Sequence, residues 1–198
     1  MSSDSQPEVL AEGRFLRLCR RGRWEYAERV HPRPAVVIVA VTPDRELVLV
    51  EQFRVPVQSR VIELPAGLVG DVPGDDHPDP RVHARRELLE ETGFRARNMR
   101  LLFGGPVSAG FGTESVEFLL ATGLKREGGG GGVEGEEIET HLVPVDRVEA
   151  WLKRRVRQGR LADPKIFAGL YYASQVSPPR QARSTGRRAV AGKVRKKS

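Results

Sequence analysis

Seven consecutive apolar residues, Ala35 to Val41, five of them β-branched, limit the fold more than any other feature. This longest apolar run is far below the roughly 20 residues a membrane helix needs. Pro32 and Pro34 precede it, and the turn Thr42-Pro43-Asp44-Arg45 follows. Branching at Cβ favours extended backbone, so the run reads as a buried strand. Glu46–Phe53 is a second strand, and Arg60–Leu64 a short third that ends at Pro65. Leu101–Phe103, Ser115–Thr122 and Ile138–Val143 complete the strand candidates.

Helices are interleaved with these strands. Arg81 to Thr92 contains no breaker, with Pro80 near its start and Gly93 just past its end. Asp146 and Glu149 resemble a capping box ahead of Val148, Trp151, Leu152 and Val156, which share one face. Asp163-Pro164 is a start signal for a last helix whose apolar face is Ile166, Phe167, Leu170 and Tyr171. Such mixed order predicts an α/β or α+β body with helices covering a mixed sheet.

Around that body the composition changes. Residues 1–8 read as a loose leader, and Phe15–Val30 as a hairpin turning at Arg21-Gly22. Residues 67–80 are dense in Gly, Pro and Asp and read as loop. Gly128–Gly132 reads as a flexible loop with no preference of its own. The formal charge of +7 belongs to the end of the chain: residues 176–198 hold eight basic residues and no acid. Without them the body has 25 basic residues against 26 acidic ones, so the high pI is no argument for a nucleic-acid-binding domain. The tail itself reads as disordered. One cysteine, Cys19, excludes a disulfide-stapled scaffold. The polar start MSSDSQPEVL is unlike a signal peptide, so a cytoplasmic location without a membrane anchor is expected.

The chemistry concentrates in Arg86-Glu87-Leu88-Leu89-Glu90-Glu91-Thr92-Gly93-Phe94. On a helix Glu87, Glu90 and Glu91 stand at i, i+3 and i+4, so their carboxylates share a face and repel unless cations lie between them. Hard oxygen ligands gathered in this way suit Mg²⁺ or Mn²⁺, ions that also bind substrate phosphates. A solvated acidic face paired with Arg85 and Arg86 is the blander explanation of the same letters.

Context favours the metal. Together with Glu63-Leu64-Pro65-Ala66-Gly67 and the glycine-bearing loop, residues 86–94 resemble the Nudix hydrolase signature, matching its C-terminal half at every fixed position. Val50-Glu51-Gln52-Phe53-Arg54, the loop Ser108–Glu114 and Glu134-Gly135-Glu136-Glu137-Ile138 extend the resemblance to the ADP-ribose and nucleoside-diphosphate-sugar pyrophosphatase branch. Three departures stand out, the first being that the intermediate Glu of the signature has no clear counterpart, Asp75 and Asp76 being only weak substitutes. Gly67 and Arg86 are nineteen positions apart where the family has fourteen, and Ala109 stands where the ADP-ribose group commonly has proline.

The resemblance implies an α/β/α sandwich around a mixed β-sheet. It divides the chain into a leader (1–8), an N-terminal β-segment that mediates homodimerisation (9–34), the hydrolase domain (35–175) and the basic tail (176–198). It implies metal ligation by Glu87, Glu91, Glu90, the Ala66 carbonyl and Glu136, with Mg²⁺ as cofactor and Mn²⁺ as a substitute. Arg86 would brace the glutamates and Glu134 would act as general base, while Arg54 and Glu114 would contact substrate. The implied activity is hydrolysis of a nucleoside diphosphate linked to another group, with ADP-ribose giving AMP and ribose 5-phosphate in the lead. GDP-mannose or ADP-glucose is the alternative substrate. A nucleotide-sensing or nucleic-acid-associated role, with weak non-specific attraction through the tail, is the alternative of a different class.

Overall fold

A computed structural model describes residues 6–70, 77–132 and 136–177. The chain runs β1 (Glu8–Glu12), β2 (Leu16–Arg21), β3 (Trp24–Arg29), β4 (Ala35–Ala40), β5 (Glu46–Arg54), β6 (Ser59–Glu63), β7 (Ala66–Leu68), α1 (Pro80–Thr92), β8 (Phe94–Pro106), β9 (Ser115–Arg126), β10 (Glu139–Pro144), α2 (Val148–Arg157), β11 (Leu161–Ala162) and α3 (Lys165–Ser174). Residues 1–5, 71–76 and 178–198, with the bulk of the basic tail, lie outside the described residues, as does Glu134.

The apolar run becomes β4, and its alternation sets the layers. Val36, Ile38 and Ala40 pack with Ala84 and Leu88 of α1. Val37, Val39 and Val41 pack instead with Val148 and Leu152 of α2 and with Ile166 and Ala173 of α3. Both faces are therefore covered by helices, as a fully apolar strand requires, and each fully buried Leu or Val contributes about 1.5–3 kcal/mol. Two mixed four-stranded sheets share this core, in the orders β7-β4-β9-β8 and β10-β5-β6-β11. The β4/β9 and β6/β11 pairs are parallel. The architecture is the expected α/β sandwich.

Four local expectations need correction. The hairpin forms as read, β2 with β3 around Gly22, but Glu8–Glu12 adds a third antiparallel strand to β2, with a bulge between Val9 and Ala11. Ala66–Leu68, read as loop from Gly67 onward, pairs with the edge of β4, where Val36 faces Gly67. The capping box at Asp146 and Glu149 does not form. Val145 is bonded to the Arg45 carbonyl, a 3-10 turn over Val145–Arg147 precedes α2, and α2 starts without a side-chain cap.

The glycine run is the fourth. Gly131 N–H donates to the Glu91 carbonyl at 2.9 Å and Gly132 N–H to the Glu90 carbonyl at 3.1 Å, so the run covers the C-terminal carbonyls of α1. Gly130, Gly131 and Gly132 all have positive φ, which explains glycine there. The helix starts are otherwise as read. Asp79 caps α1 by accepting from Arg81 N–H, and Asp163 accepts from Lys165 N–H at 2.7 Å.

Candidate metal centre and active site

Helix α1 is fixed at both ends by local chemistry. Asp79 caps its start, and Gly93, with φ of 73°, ends it while its N–H donates to the Leu89 carbonyl. Between these limits the sequence sets which carboxylates turn inward. Glu87 and Glu91, one turn apart, are 8% and 5% exposed, a rare burial for acids. Glu90 remains half-exposed and bonded to Arg86 at 3.2 Å. The Arg86 guanidinium also lies 2.8 Å from Glu87, so one cation stands between these two glutamates.

Opposite the helix, β7 brings in the Pro65-Ala66-Gly67 backbone. Ala66 N–H donates to Glu91 Oε2 at 3.1 Å. A Cβ at Gly67 would overlap the Glu87 carboxylate, so glycine is what lets that group lie against the strand. Burial pushes the Glu91 carboxyl up to about 8; the Ala66 N–H opposes this, the charges of Glu87 and Glu136 reinforce it, and Arg54 opposes it. Glu136 lies over the glycine run, where a Cβ at Gly132 would stand 2.5 Å from its Oε2.

Glu87, Glu91, Glu136 and the Ala66 backbone are therefore neighbours, with Arg54 close enough for its charge to be felt. They fit a hard divalent cation: two buried carboxylates one turn apart with a third beside them, a Glu91 carboxyl raised chiefly by burial and further by the charges of Glu87 and Glu136, and a glycine that clears the space. Among the described residues these glutamates do not close into a triad with ligand atoms within 4.8 Å of one another. Arg54 itself donates to Glu63 at 2.8 Å and is nearly half-exposed.

Glu114 is placed elsewhere. It accepts from Arg29 Nε at 2.8 Å and lines a cavity of about 340 Å³ with Leu16, Ala27, Val107 and Phe111. That cavity lies between β2, β3 and the Ser108–Glu114 loop, which docks through Ala27 N–H to the Phe111 carbonyl. The lining of this cavity includes none of the helix carboxylates.

A second buried acid was read only as part of a motif. Glu51 is fully buried, and its two oxygens accept from Arg60 at 2.9 Å, Arg160 at 2.7 Å, Arg155 at 2.5 Å and His141 at 3.2 Å. Burial alone would push this carboxyl up, but the hydrogen bonds from Arg155, Arg60, Arg160 and His141 outweigh it and hold it at about 2. Glu51, Glu139 and His141 do place ligand atoms within 4.8 Å of one another. With three guanidiniums on Glu51, however, the group is an ion network that ties β6, β10 and α2 to β5. No single sequence signal points to it, because its partners lie 9 to 109 residues away.

The NUDIX domain family model matches residues 31–163 of this chain. The chain belongs to the Nudix family. It is 31% identical over 172 residues to the methanol dehydrogenase activator of Bacillus methanolicus, covering 83% of this chain and 88% of that one. It is 35% identical over 141 residues to the ADP-ribose pyrophosphatase of Mycobacterium tuberculosis, covering 69% and 62% respectively. The GDP-mannose pyrophosphatase of Escherichia coli K12 is 33% identical over 146 residues, covering 70% and 71%. A crystal structure titled ADP compounds hydrolase shares the fold, with TM-score 0.63 at 21% identity over 88% of this chain and 95% of that one. The Nudix chain is accordingly a hydrolase of pyrophosphate bonds, and no helix among its described residues is long and apolar enough to cross a membrane.

Proposed function

We propose that this Nudix hydrolase is a Mg²⁺-dependent pyrophosphatase, with Mn²⁺ as a substitute, that splits ADP-ribose into AMP and ribose 5-phosphate. The observation that carries the reading is the buried Glu91 carboxyl, held by Ala66 N–H and raised to about 8 by burial beside Glu87 and Glu136. Glu87, Glu91, Glu136 and the Ala66 carbonyl would hold the ion, with Glu90 and Arg86 beside them. A bound divalent cation supplies positive charge against the diphosphate and lowers the pKa of water.

The protein groups do the rest. Glu134 takes the proton of the attacking water as the new P–O bond forms and the bridging P–O bond breaks. Arg54 exchanges Glu63 for a substrate phosphate oxygen. Arg86 keeps Glu87 and Glu90 apart from each other's charge. Glu114 would have to leave Arg29 to contact substrate, moving with the Ser108–Glu114 loop that β3 supports through Ala27.

The similarity to the Mycobacterium enzyme favours ADP-ribose, and the Escherichia relative makes GDP-mannose the second substrate to test. We further propose a cytoplasmic homodimer formed through the N-terminal sheet, supported by exposed Phe15, Leu16, Leu18 and Trp24. The basic tail adds at most weak, salt-dependent attraction to nucleic acid.

A phosphate-release screen over ADP-ribose, GDP-mannose, ADP-glucose, dinucleoside polyphosphates and capped RNA, with Mg²⁺ and then Mn²⁺, tests this reading. The expected result is highest kcat/KM on ADP-ribose. Turnover confined to RNA ends, or turnover independent of divalent metal, would overturn it.

A further inference from the structure

Helix α1 turns one residue per turn toward the β7 segment: His83, Glu87 and Glu91, all buried. Across from them the chain runs from Ala66 to Gly70. Ala66 N–H meets Glu91 at 3.1 Å, Gly67 lies against the Glu87 side chain, and Gly70 N–H meets His83 Nδ1 at 3.4 Å. The other ring nitrogen, His83 Nε2, is 2.8 Å from the His77 carbonyl oxygen. A carbonyl only accepts, so Nε2 carries the hydrogen and Nδ1 offers its lone pair to Gly70. One fully buried imidazole thus ties Gly70 and His77 to the helix, one turn before Glu87.

Gly70 and His77 both belong to the connection between Gly67 and α1, the loop read from the sequence as five residues longer than the family spacing. Lengthening a connection raises its closure entropy and loosens what it joins. Strand β7 is only three residues long and pairs along one edge, with Ala35, Val36 and Val37 of β4. Its distance from α1 therefore depends on the few contacts that cross to the helix.

We infer that His83 is a positioning residue that clamps Gly70 and His77 to α1 and thereby holds the Ala66 carbonyl and Glu87 at the spacing a divalent cation requires. This rests on the reading of Glu87 and Glu91 as metal ligands. A histidine that merely fills the core would stabilise the fold without tuning the site.

Direct Mn²⁺ binding to the full-length protein, followed by electron paramagnetic resonance, separates these roles. Thermal melting is recorded alongside. His83→Leu keeps apolar bulk and removes the hydrogen bonds to Gly70 and His77; it is expected to raise the Mn²⁺ dissociation constant about tenfold. His83→Gln restores a donor and an acceptor and is expected to stay within about threefold of wild type. Removing five residues between Gly70 and His77 in the His83→Leu background is expected to recover the affinity.

If His83→Leu fails to fold, His83→Asn takes its place. Its side chain keeps an acceptor near Gly70 but falls short of His77, and about a threefold loss is expected. A lowered melting temperature with unchanged Mn²⁺ affinity would overturn the positioning role, and no recovery in the shortened protein would overturn the link to loop length. Glu91→Gln, measured in parallel, keeps the two claims apart. If it binds Mn²⁺ like wild type, the metal reading fails. If it binds weakly while His83→Leu does not, only the role of His83 fails.

Discussion

Glu51 and Glu91 are both buried carboxylates on the same framework, yet their surroundings are opposite. Glu51 is shared by three guanidiniums and an imidazole, and its pKa is held at about 2. Glu91 has one backbone N–H, two further carboxylates and the more distant charge of Arg54 around it, and burial pushes its pKa to about 8. The first region is finished: every oxygen is matched, and the ion network joins distant elements. In the second, Glu91 is buried with other carboxylates near it, and its own oxygen is met by a backbone N–H rather than by a guanidinium. Such an arrangement is costly for a fold and is the signature of a place where something else must bind.

The largest expected effect is on turnover. Glu87→Gln or Glu91→Gln should reduce kcat by more than the roughly hundredfold that loss of an outer-shell partner costs a metal site. Glu51→Gln should leave kcat per folded molecule near wild type, since its side chain lies on the opposite face of β5 from Arg54. Steady-state kinetics on all three proteins would break the comparison if Glu51→Gln were as inactive as the others.

Stability should show the reverse order. Glu51→Gln strands Arg60, Arg155 and Arg160 without their carboxylate and should cost about 3–5 kcal/mol in urea melts. Glu91→Gln removes a repelled charge and should stabilise the metal-free protein. The sign follows from linkage. Because the folded pKa of Glu91 is raised from 4.5 to about 8, its favourable contribution is complete below pH 4.5 and is lost as pH rises through 8. The advantage of Glu91→Gln should therefore grow between pH 5 and pH 9. Glu51, lowered from 4.5 to about 2, stabilises the fold above pH 4.5 and ceases to do so only as pH falls through 2. Urea midpoints at several pH values, with chelator, test both trends.

Much of this contrast was written locally, and part of it was not. The limits of α1 were legible because Pro80 and Gly93 act on their own neighbours, though the cap at Asp79 was not read, and the glutamate spacing then placed Glu87 and Glu91 one turn apart. The three residues Ala66-Gly67-Leu68 have little strand preference; the open edge of β4 makes them β7. The roles within Gly128–Gly132 depend on carbonyls of α1 some 40 residues earlier in the chain. Glu51 gave no hint of its partners, and Glu114 none of Arg29, 85 residues away. Local signals set elements, while long-range pairing decided which acids were satisfied.

The smallest effects should distinguish glycines that look identical in the sequence. Gly130 has φ of 70°, and a Cβ there would stand 2.5 Å from the Thr92 carbonyl carbon, so Gly130→Ala should cost about 1–2 kcal/mol and lower kcat. Gly129 has open space around it, and Gly129→Ala should be close to neutral. Equal behaviour of the two in melts and kinetics would show that the run does not cover the end of α1 as described.

The most direct test of the metal reading is the proton count on binding. Titration calorimetry of Mg²⁺ or Mn²⁺ into the protein at pH 7, in two buffers of different ionisation enthalpy, measures it. A carboxyl with a pKa of about 8 is mostly protonated at that pH, and a cation must displace its proton. Wild type is expected to release close to one proton per site, and Glu91→Gln to bind far more weakly with almost none released. Binding by wild type without proton release, or equal affinity in Glu91→Gln, would contradict the assignment of this cluster as the metal centre.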